Sequence, residues 1–368
     1  MNLTLQQLTL LNYRNIAECT IEFSDKINCF VGNNGMGKTN LIDAIYHLSF
    51  CKSRLNPIDA QNIRHGSEVF MIQGEYLRGE QTEVINCGVK PHVKKQFSRN
   101  KKRYTRMADH IGFLPLVIIS PADEALIKDG SEERRKFLDI AISQYDANYL
   151  ASLTAYNTAL TNRNALMKEE VEPDSTVLEI IEMQMEQAAT YIYARRREFI
   201  DMFTPLFEKY YQAISQSHEE VTLNYVSHLA KPQPLTEQLK EVYLRDRILG
   251  YTTRGSHKDD IEIFINSHPI KHTASQGQNK TTLIAMKMAQ FSLLKQHCSA
   301  TPLFLLDDIF DKLDANRVAH IINIVSGDEF GQIFITDTNR LHIDQLLQHA
   351  DCPARLFLVD NGEITPQN

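Results

Sequence analysis

The chain has 368 residues, 43% of them hydrophobic and 23% charged, with a net charge of −7. That balance excludes a disordered or membrane-spanning chain, suffices for the cores of two or three domains, and requires any nucleic-acid contact to come from a local basic patch. Six cysteines (19, 29, 51, 87, 298 and 352) are scattered without a C-x-x-C pair, which argues against a zinc site or disulfide framework and for a reducing compartment.

Met1 to Leu8 alternates as a strand does, with no charged-then-apolar leader, so the expected location is cytoplasmic. Strands are expected at 3–12, 18–23 and 26–31. The third runs into Gly32-Asn33-Asn34-Gly35-Met36-Gly37-Lys38-Thr39, and Asn40 to Leu48 follows with helical spacing. Strand, G-x-x-x-x-G-K-[ST] and helix form a phosphate loop: backbone N–H groups and the helix N-terminus cradle a triphosphate. Lys38 is expected to reach the β- and γ-phosphates, and Thr39 to ligate Mg²⁺.

Further strands are expected at 69–77, 83–90 and 114–119. Between them, residues 90–106 carry eight Lys or Arg and no acid. Lys94, Lys95, Arg99, Lys101, Lys102, Arg103 and Arg106 are the candidate DNA contacts, with Phe97 and Tyr104 free either to stack on bases or to pack. The alternative for this run is the solvated face of a β-hairpin.

From 123 to 220 the pattern turns helical. Leu138, Ile142, Tyr145, Tyr149, Leu153 and Tyr156 recur within 134–170, and a turn is expected at 171–175. Ile181, Met185, Ala188, Ile192, Arg195, Phe199, Met202 and Leu206 then fall on a heptad, with Pro205 expected to kink its end. The pair reads as an antiparallel hairpin, and Arg195-Arg196-Arg197 on it is a second basic candidate. Strands return at 221–226, 261–265, 303–306, 332–336 and 355–359, so the nucleotide domain reads as split around a helical insertion. The strand ending at Leu306 runs into Asp307 and Asp308. Asp307 suits a Mg²⁺ ligand and Asp308 a base or water-positioning group, making Lys38, Asp307 and Asp308 the catalytic candidates. Ser275-Gln276-Gly277-Gln278 opens a helix, where it is either an N-cap or an anion site.

These segments together resemble the RecF family of ABC-type ATPases, related to Rad50 and the SMC proteins. The likeness runs through Leu11 to Ile16, the phosphate loop, Ile119-Ser120-Pro121-Ala122-Asp123, Glu133 to Asp139, Arg254-Gly255-Ser256-His257-Lys258-Asp259-Asp260, Ser275 to Gln278 and Leu305 to Asp308. It implies an α/β fold, an ABC-type P-loop ATPase lobe like the Rad50 and SMC heads, with an inserted helical lobe. The expected division is 1–122 and 221–368 for the ATPase lobe and 123–220 for the insertion. The resemblance adds Arg14 and Asn40 to the nucleotide set. It makes Ser275 to Gln278 a signature that grips the nucleotide of a second copy, and Asp311 and Asp314 a D-loop. It implies ATP and Mg²⁺ as cofactors, an ATP-dependent homodimer on duplex DNA at gaps or junctions, RecR and RecO as partners, and help in loading a recombinase. Departures are Asp308 where many ABC ATPases have Glu, Asp337 where many have a histidine, Ser256 and Lys258 in the Gly255–Asp260 run, and no glutamine lid. The first two point to slow hydrolysis, a switch rather than a motor. A transporter subunit and a bridging protein of the SMC kind are the rivals. The first normally has the glutamine and histidine absent here, the second a longer coiled coil.

Overall fold

The computed structural model describes every residue except 216–218, 311–314, 328, 350–351 and 368. In chain order the first 123 residues contribute β1 (Leu3–Tyr13), β2 (Ile16–Glu22), β3 (Ile27–Val31), α1 (Lys38–Phe50), β4 (Phe70–Arg78), β5 (Gln81–Val89), β6 (Gln96–Arg99), β7 (Lys102–Arg103) and β8 (Leu116–Ile119). Then follow α2 (Ala125–Lys128), α3 (Ser131–Ser143), α4 (Ala147–Lys168), α5 (Ser175–Ser215), β9 (Val221–Val226), α6 (Leu235–Glu241), α7 (Tyr243–Leu249), β10 (Asp260–Ile265), β11 (His268–Pro269) and α8 (Ile270–Thr273). The remainder is α9 (Gln276–His297), β12 (Leu303–Asp307), α10 (Ala315–Ser326), β13 (Ile333–Asp337), α11 (Arg340–His349), β14 (Ala354–Asp360) and β15 (Glu363–Gln367).

The chain divides into two compact units. One holds 1–123, 213–216 and 280–368; the other holds 124–212 and 217–279. The first unit has two six-stranded sheets, in orders β2-β1-β4-β5-β6-β7 and β15-β14-β3-β13-β12-β8. The first sheet is antiparallel. In β1, Leu3 and Leu5 face the core, a bulge before Gln7 shifts the phase, Leu8 and Leu10 take up the alternation, and a second slip at Asn12, φ 52°, turns Tyr13 inward. The second sheet is parallel apart from its edge strand β15. Its strands β3, β12 and β13 are buried throughout, which accounts for their largely apolar runs. Each buried Leu or Phe there contributes about 1.5–3 kcal/mol.

The second unit pairs α4 and α5 antiparallel. Asp146 beside the start of α4 bonds Arg195 and Tyr191, whereas Arg163 near its end meets Glu182. The helical run 134–170 is broken at 144–146, where Asp146 caps α4 by accepting the N–H of Tyr149 at 2.9 Å. The heptad on α5 needs correction. Met185, Ala188, Ile192 and Phe199 are buried, but beyond Ile192 the buried stripe passes to Arg196, Ile200, Phe203, Phe207 and Tyr211. A straight helix at 3.6 residues per turn drifts off a seven-residue repeat, and α5 continues through Pro205 to Ser215. The second unit also differs from the expected insertion by holding 221–279, including the sheet β11-β10-β9. Among the described residues no helix is long and apolar enough to cross a membrane.

Candidate nucleotide site

The phosphate loop joins the end of β3 to the start of α1. Two of its glycines, Gly32 and Gly37, are required by space. A Cβ on Gly32 would lie 2.2 Å from the Val359 carbonyl oxygen, and one on Gly37, at φ +116°, 2.8 Å from the Asn15 amide. Asn15 braces the loop from β1's end, donating to the Met36 carbonyl at 3.0 Å and accepting from Asn40 Nδ2 at 2.7 Å. Gly362 N–H donates to the same Met36 carbonyl at 2.8 Å.

Lys38 Nζ donates to the carbonyls of Gly32 at 2.7 Å and Asn33 at 3.0 Å, placing the cation inside the loop. Burial lowers its pKa, opposed by the charges of Asp308, Asp307 and Asp337.

β13 lies between β3 and β12. Asp307, at the end of β12, accepts on Oδ1 from Thr39 Oγ1 at 3.2 Å and from Thr336 Oγ1 of β13 at 2.6 Å. Burial raises the Asp307 pKa; the bonds from Thr336 and Thr39 work against that rise. Asp308 turns the chain at φ 51°, its N–H donating to the Thr336 carbonyl and hydroxyl at 3.1 Å each. Thr39, Asp307, Asp308, Arg54 and Ser120 line a cavity of about 230 Å³. A hydroxyl and one carboxylate oxygen fit a hard cation that takes its other ligands from phosphates and water, as Mg²⁺ does.

On α1, Asp43 organises the flank. It accepts from Tyr13 Oη, Ser53 Oγ and the Arg54 N–H, each at 2.7 Å, and lies 3.4 Å from Arg14 Nε. Arg54 reaches Ser120 Oγ at 2.5 Å and Asp123 at 2.8 Å, and Lys287 pairs with Asp123 at 2.8 Å. The segment 120–123 is thus pinned by two cations. At the end of β13, Asp337 pairs with His342 at 3.0 Å.

Asn15, Asp43 and Thr336 escaped the sequence reading. Asn15 lay within a quoted motif but has no chemistry of its own, and Thr336 acquires its role only from strand order.

Ser275 and Gln278 form a capping box. Ser275 Oγ accepts from the Gln278 N–H at 3.2 Å, and Ser275 N–H donates to Gln278 Oε1 at 2.8 Å. Gln278 Nε2 also donates to Glu219 at 2.6 Å, while Ser275 and Gln276 are exposed. The expected D-loop residues Asp311 and Asp314 lie outside the described residues.

The basic run forms β6, β7 and their connections, and the structure sorts its cations. Lys95 pairs with Asp59 at 2.7 Å, and Arg99 forks onto Glu83 with its guanidinium 3.9 Å from the Phe113 ring centre. Lys94, Lys101, Lys102, Arg103 and Arg106 are exposed. Of the two alternatives for the aromatics the structure has packing: Phe97 is buried, and Tyr104 packs on it and bonds His110 at 3.0 Å. In the second unit Arg196 is buried against Asp139 at 2.9 Å and Asp259 at 2.7 Å, which removes it as a basic contact. Arg134 pairs with Asp260 at 2.6 Å, so the runs 133–139 and 254–260 form an ionic skeleton.

The family "RecF/RecN/SMC N terminal domain" matches residues 4–365. The chain is 54% identical over 364 residues to "DNA replication and repair protein RecF" of Phocaeicola vulgatus, covering 98% of each. It is 53% identical over 361 residues to the protein of that name from Bacteroides thetaiotaomicron, again covering 98% of each. Among solved structures, the recombination mediator protein RecF with ATP in the RecFOR pathway matches with a TM-score of 0.89 at 27% identity, over 100% of this chain and 98% of that one. An Smc head domain from Pyrococcus furiosus shares the fold, with a TM-score of 0.59 at 17% identity over 100% of this chain and 96% of that one. With the ABC-type ATPase head fold, the phosphate loop beside an acidic strand and relatives above half identity over nearly its whole length, this chain belongs to the RecF family.

Proposed function

We propose that the protein is an ATP-dependent DNA-binding switch of recombinational repair and replication. The observation that carries this is the meeting of Thr39 and Thr336 on Asp307, with Lys38 held inside the loop above them. The names of the relatives, and the ATP in a similar RecF structure, support it.

Backbone N–H groups of Gly35 to Thr39 and the Lys38 ammonium bind and orient the β- and γ-phosphates; Asn40 and Arg14 flank them. Thr39 and Asp307 hold Mg²⁺, which supplies charge neutralisation on the phosphate oxygens. Asp308 orients a water and accepts its proton as the water oxygen bonds to the γ-phosphorus. The bond to the β–γ bridging oxygen breaks, giving ADP and phosphate. The short Asp308 side chain keeps turnover below about 10 s⁻¹.

A second copy completes the site through Ser275 and Gly277 at a helix start, with Gln276 and Gln278 of the same segment, and Asp311 and Asp314 serve as its D-loop. ATP joins the two copies, and hydrolysis releases them. Lys94, Lys101, Lys102, Arg103 and Arg106 bind duplex DNA at gaps and junctions without reading sequence. RecR and RecO are the proposed partners in loading a recombinase.

The test is sizing with a non-hydrolysable ATP analogue, alone and with a gapped duplex. Wild type should double in mass and retain DNA in a salt-dependent way, and Lys38→Ala should do neither. Doubling that survives Lys38→Ala, or that needs no nucleotide, would discard the switch.

A further inference from the structure

Lys95 stands apart from its basic neighbours. Its ammonium donates to the Cys51 carbonyl at 2.6 Å and pairs with Asp59 at 2.7 Å, leaving the side chain 17% exposed. Cys51 is the residue just after α1, in a left-handed conformation at φ 54°. A cation on that carbonyl satisfies an orphan acceptor and complements the negative end of the helix. Asp59 also lies 3.8 Å from His47 Nε2. His47 is on α1, one turn beyond Asp43, and Tyr13 Oη touches both. The N-terminal end of the same helix is Lys38 and Thr39. The connection between β5 and β6 is therefore tied, through one side chain, to the helix that carries the phosphate loop. Lys94 is the adjacent residue and is exposed, as are Lys101, Lys102 and Arg103.

We infer that Lys95 is a positioning residue rather than a phosphate contact: it links DNA bound on Lys94 and the Lys101–Arg103 turn to α1, and so to the hydrolytic site. The inference rests on the ATPase and DNA reading proposed above and on DNA stimulating hydrolysis, so a wild-type turnover that ignores DNA would overturn it. Its two-state element is the hold of Lys95 on Cys51 and Asp59, kept or released as its neighbour engages a phosphate.

The experiment compares wild type, Lys95→Met, Lys95→Arg and Asp59→Asn. ATP turnover is followed against duplex DNA concentration, giving the stimulation at saturating DNA and the half-saturating DNA concentration. Lys95→Met should cut the stimulation by about fivefold or more while half-saturation stays within about twofold. Asp59→Asn, which leaves every lysine in place, should do the same, and Lys95→Arg should restore the response. Full stimulation with a raised half-saturation would make Lys95 a DNA contact and overturn the inference. Two unchanged parameters would overturn it as well. In both cases wild type still binds ATP and responds to DNA, so the proposed function survives; a wild type that binds neither ATP nor DNA would sink both.

Discussion

Thr336 Oγ1 donates to Asp307 Oδ1 at 2.6 Å, and the same hydroxyl accepts the N–H of Asp308 at 3.1 Å. One hydroxyl thus orients the proposed metal ligand and fixes the turn that presents the proposed base. Thr336→Val keeps the shape and removes both bonds. The expected cost is about 1–3 kcal/mol of stability and roughly 10–100-fold in Mg²⁺ affinity. A Mg²⁺ titration of nucleotide binding checks it, with Thr336→Ser as the control that should recover. Equal Mg²⁺ dependence in wild type and Thr336→Val would show that Thr39 alone suffices.

Asp307 is buried beyond what its two threonine bonds offset, so its pKa stands above the ordinary 3.8. A raised folded pKa gives a stability contribution that is complete below the unfolded value and lost as pH rises through the folded value. At neutral pH, without metal, the charged carboxylate therefore costs stability. Asp307→Asn should melt higher than wild type at pH 7 in a chelator, with the gap closing toward pH 4, while ATP hydrolysis is lost. A lower melting temperature for the variant at pH 7 contradicts this reading.

The nucleotide half of the site was readable because it is local: glycine spacing, the preceding strand and the following helix lie in one stretch. Asp307 and Asp308 were readable for the same reason, as an apolar run ending in two acids. Thr336 was not, because β13 separates β3 from β12 only in the folded sheet. Lys95 and Arg99 looked like surface charge because Asp59 and Glu83, which engage them, lie 36 and 16 residues away. The strands β9 and β10 were found, but alternation does not say which sheet a strand joins, so their unit was missed.

Burial lowers His228 and, further, three deeply buried histidines. His257 and His110 fall to about 4 and His47 to about 3, with burial the largest cause in each. His257 meets Tyr156 Oη at 2.7 Å and the Thr252 carbonyl at 2.9 Å, and the carbonyl works against the fall that burial causes. A lowered folded pKa means stability that is whole above 6.5 and lost as pH falls toward the folded value. Each histidine should cost about 1.4 kcal/mol per pH unit across that window. Urea midpoints at pH 7, 6 and 5 should fall progressively, and His257→Gln should flatten the profile by one increment. A level profile between pH 6.5 and 4 is the contrary outcome.

Arg163 is fully buried and joins Glu182 at 2.9 Å, Asp246 at 2.7 Å and Thr252 at 2.9 Å. Arg163→Met strands two carboxylates in the second unit, at a cost of about 3–5 kcal/mol. Glu182→Leu added to it should recover part of that loss, since the carboxylate left unpaired is removed. A double-mutant cycle on denaturant midpoints measures the coupling. Additive losses would mean that the ion pair carries no coupling energy of its own.

Asp308 occupies a left-handed conformation at φ 51°, which Asp and Asn tolerate better than other side chains. Asp308→Asn therefore changes the charge and leaves the backbone preference intact, whereas Asp308→Ala changes both. With a base at this position, Asp308→Asn should lower single-turnover hydrolysis by roughly 10²–10⁴-fold. ATP affinity should hold or rise, because one of the three carboxylates that face Lys38 is neutralised. The variant should then hold the nucleotide-joined pair of copies for longer than wild type, and sizing after ATP addition reads that lifetime directly. If Asp308→Asn hydrolyses at the wild-type rate, the attacking water is positioned by another group, and the second copy's contribution to the site becomes the place to look.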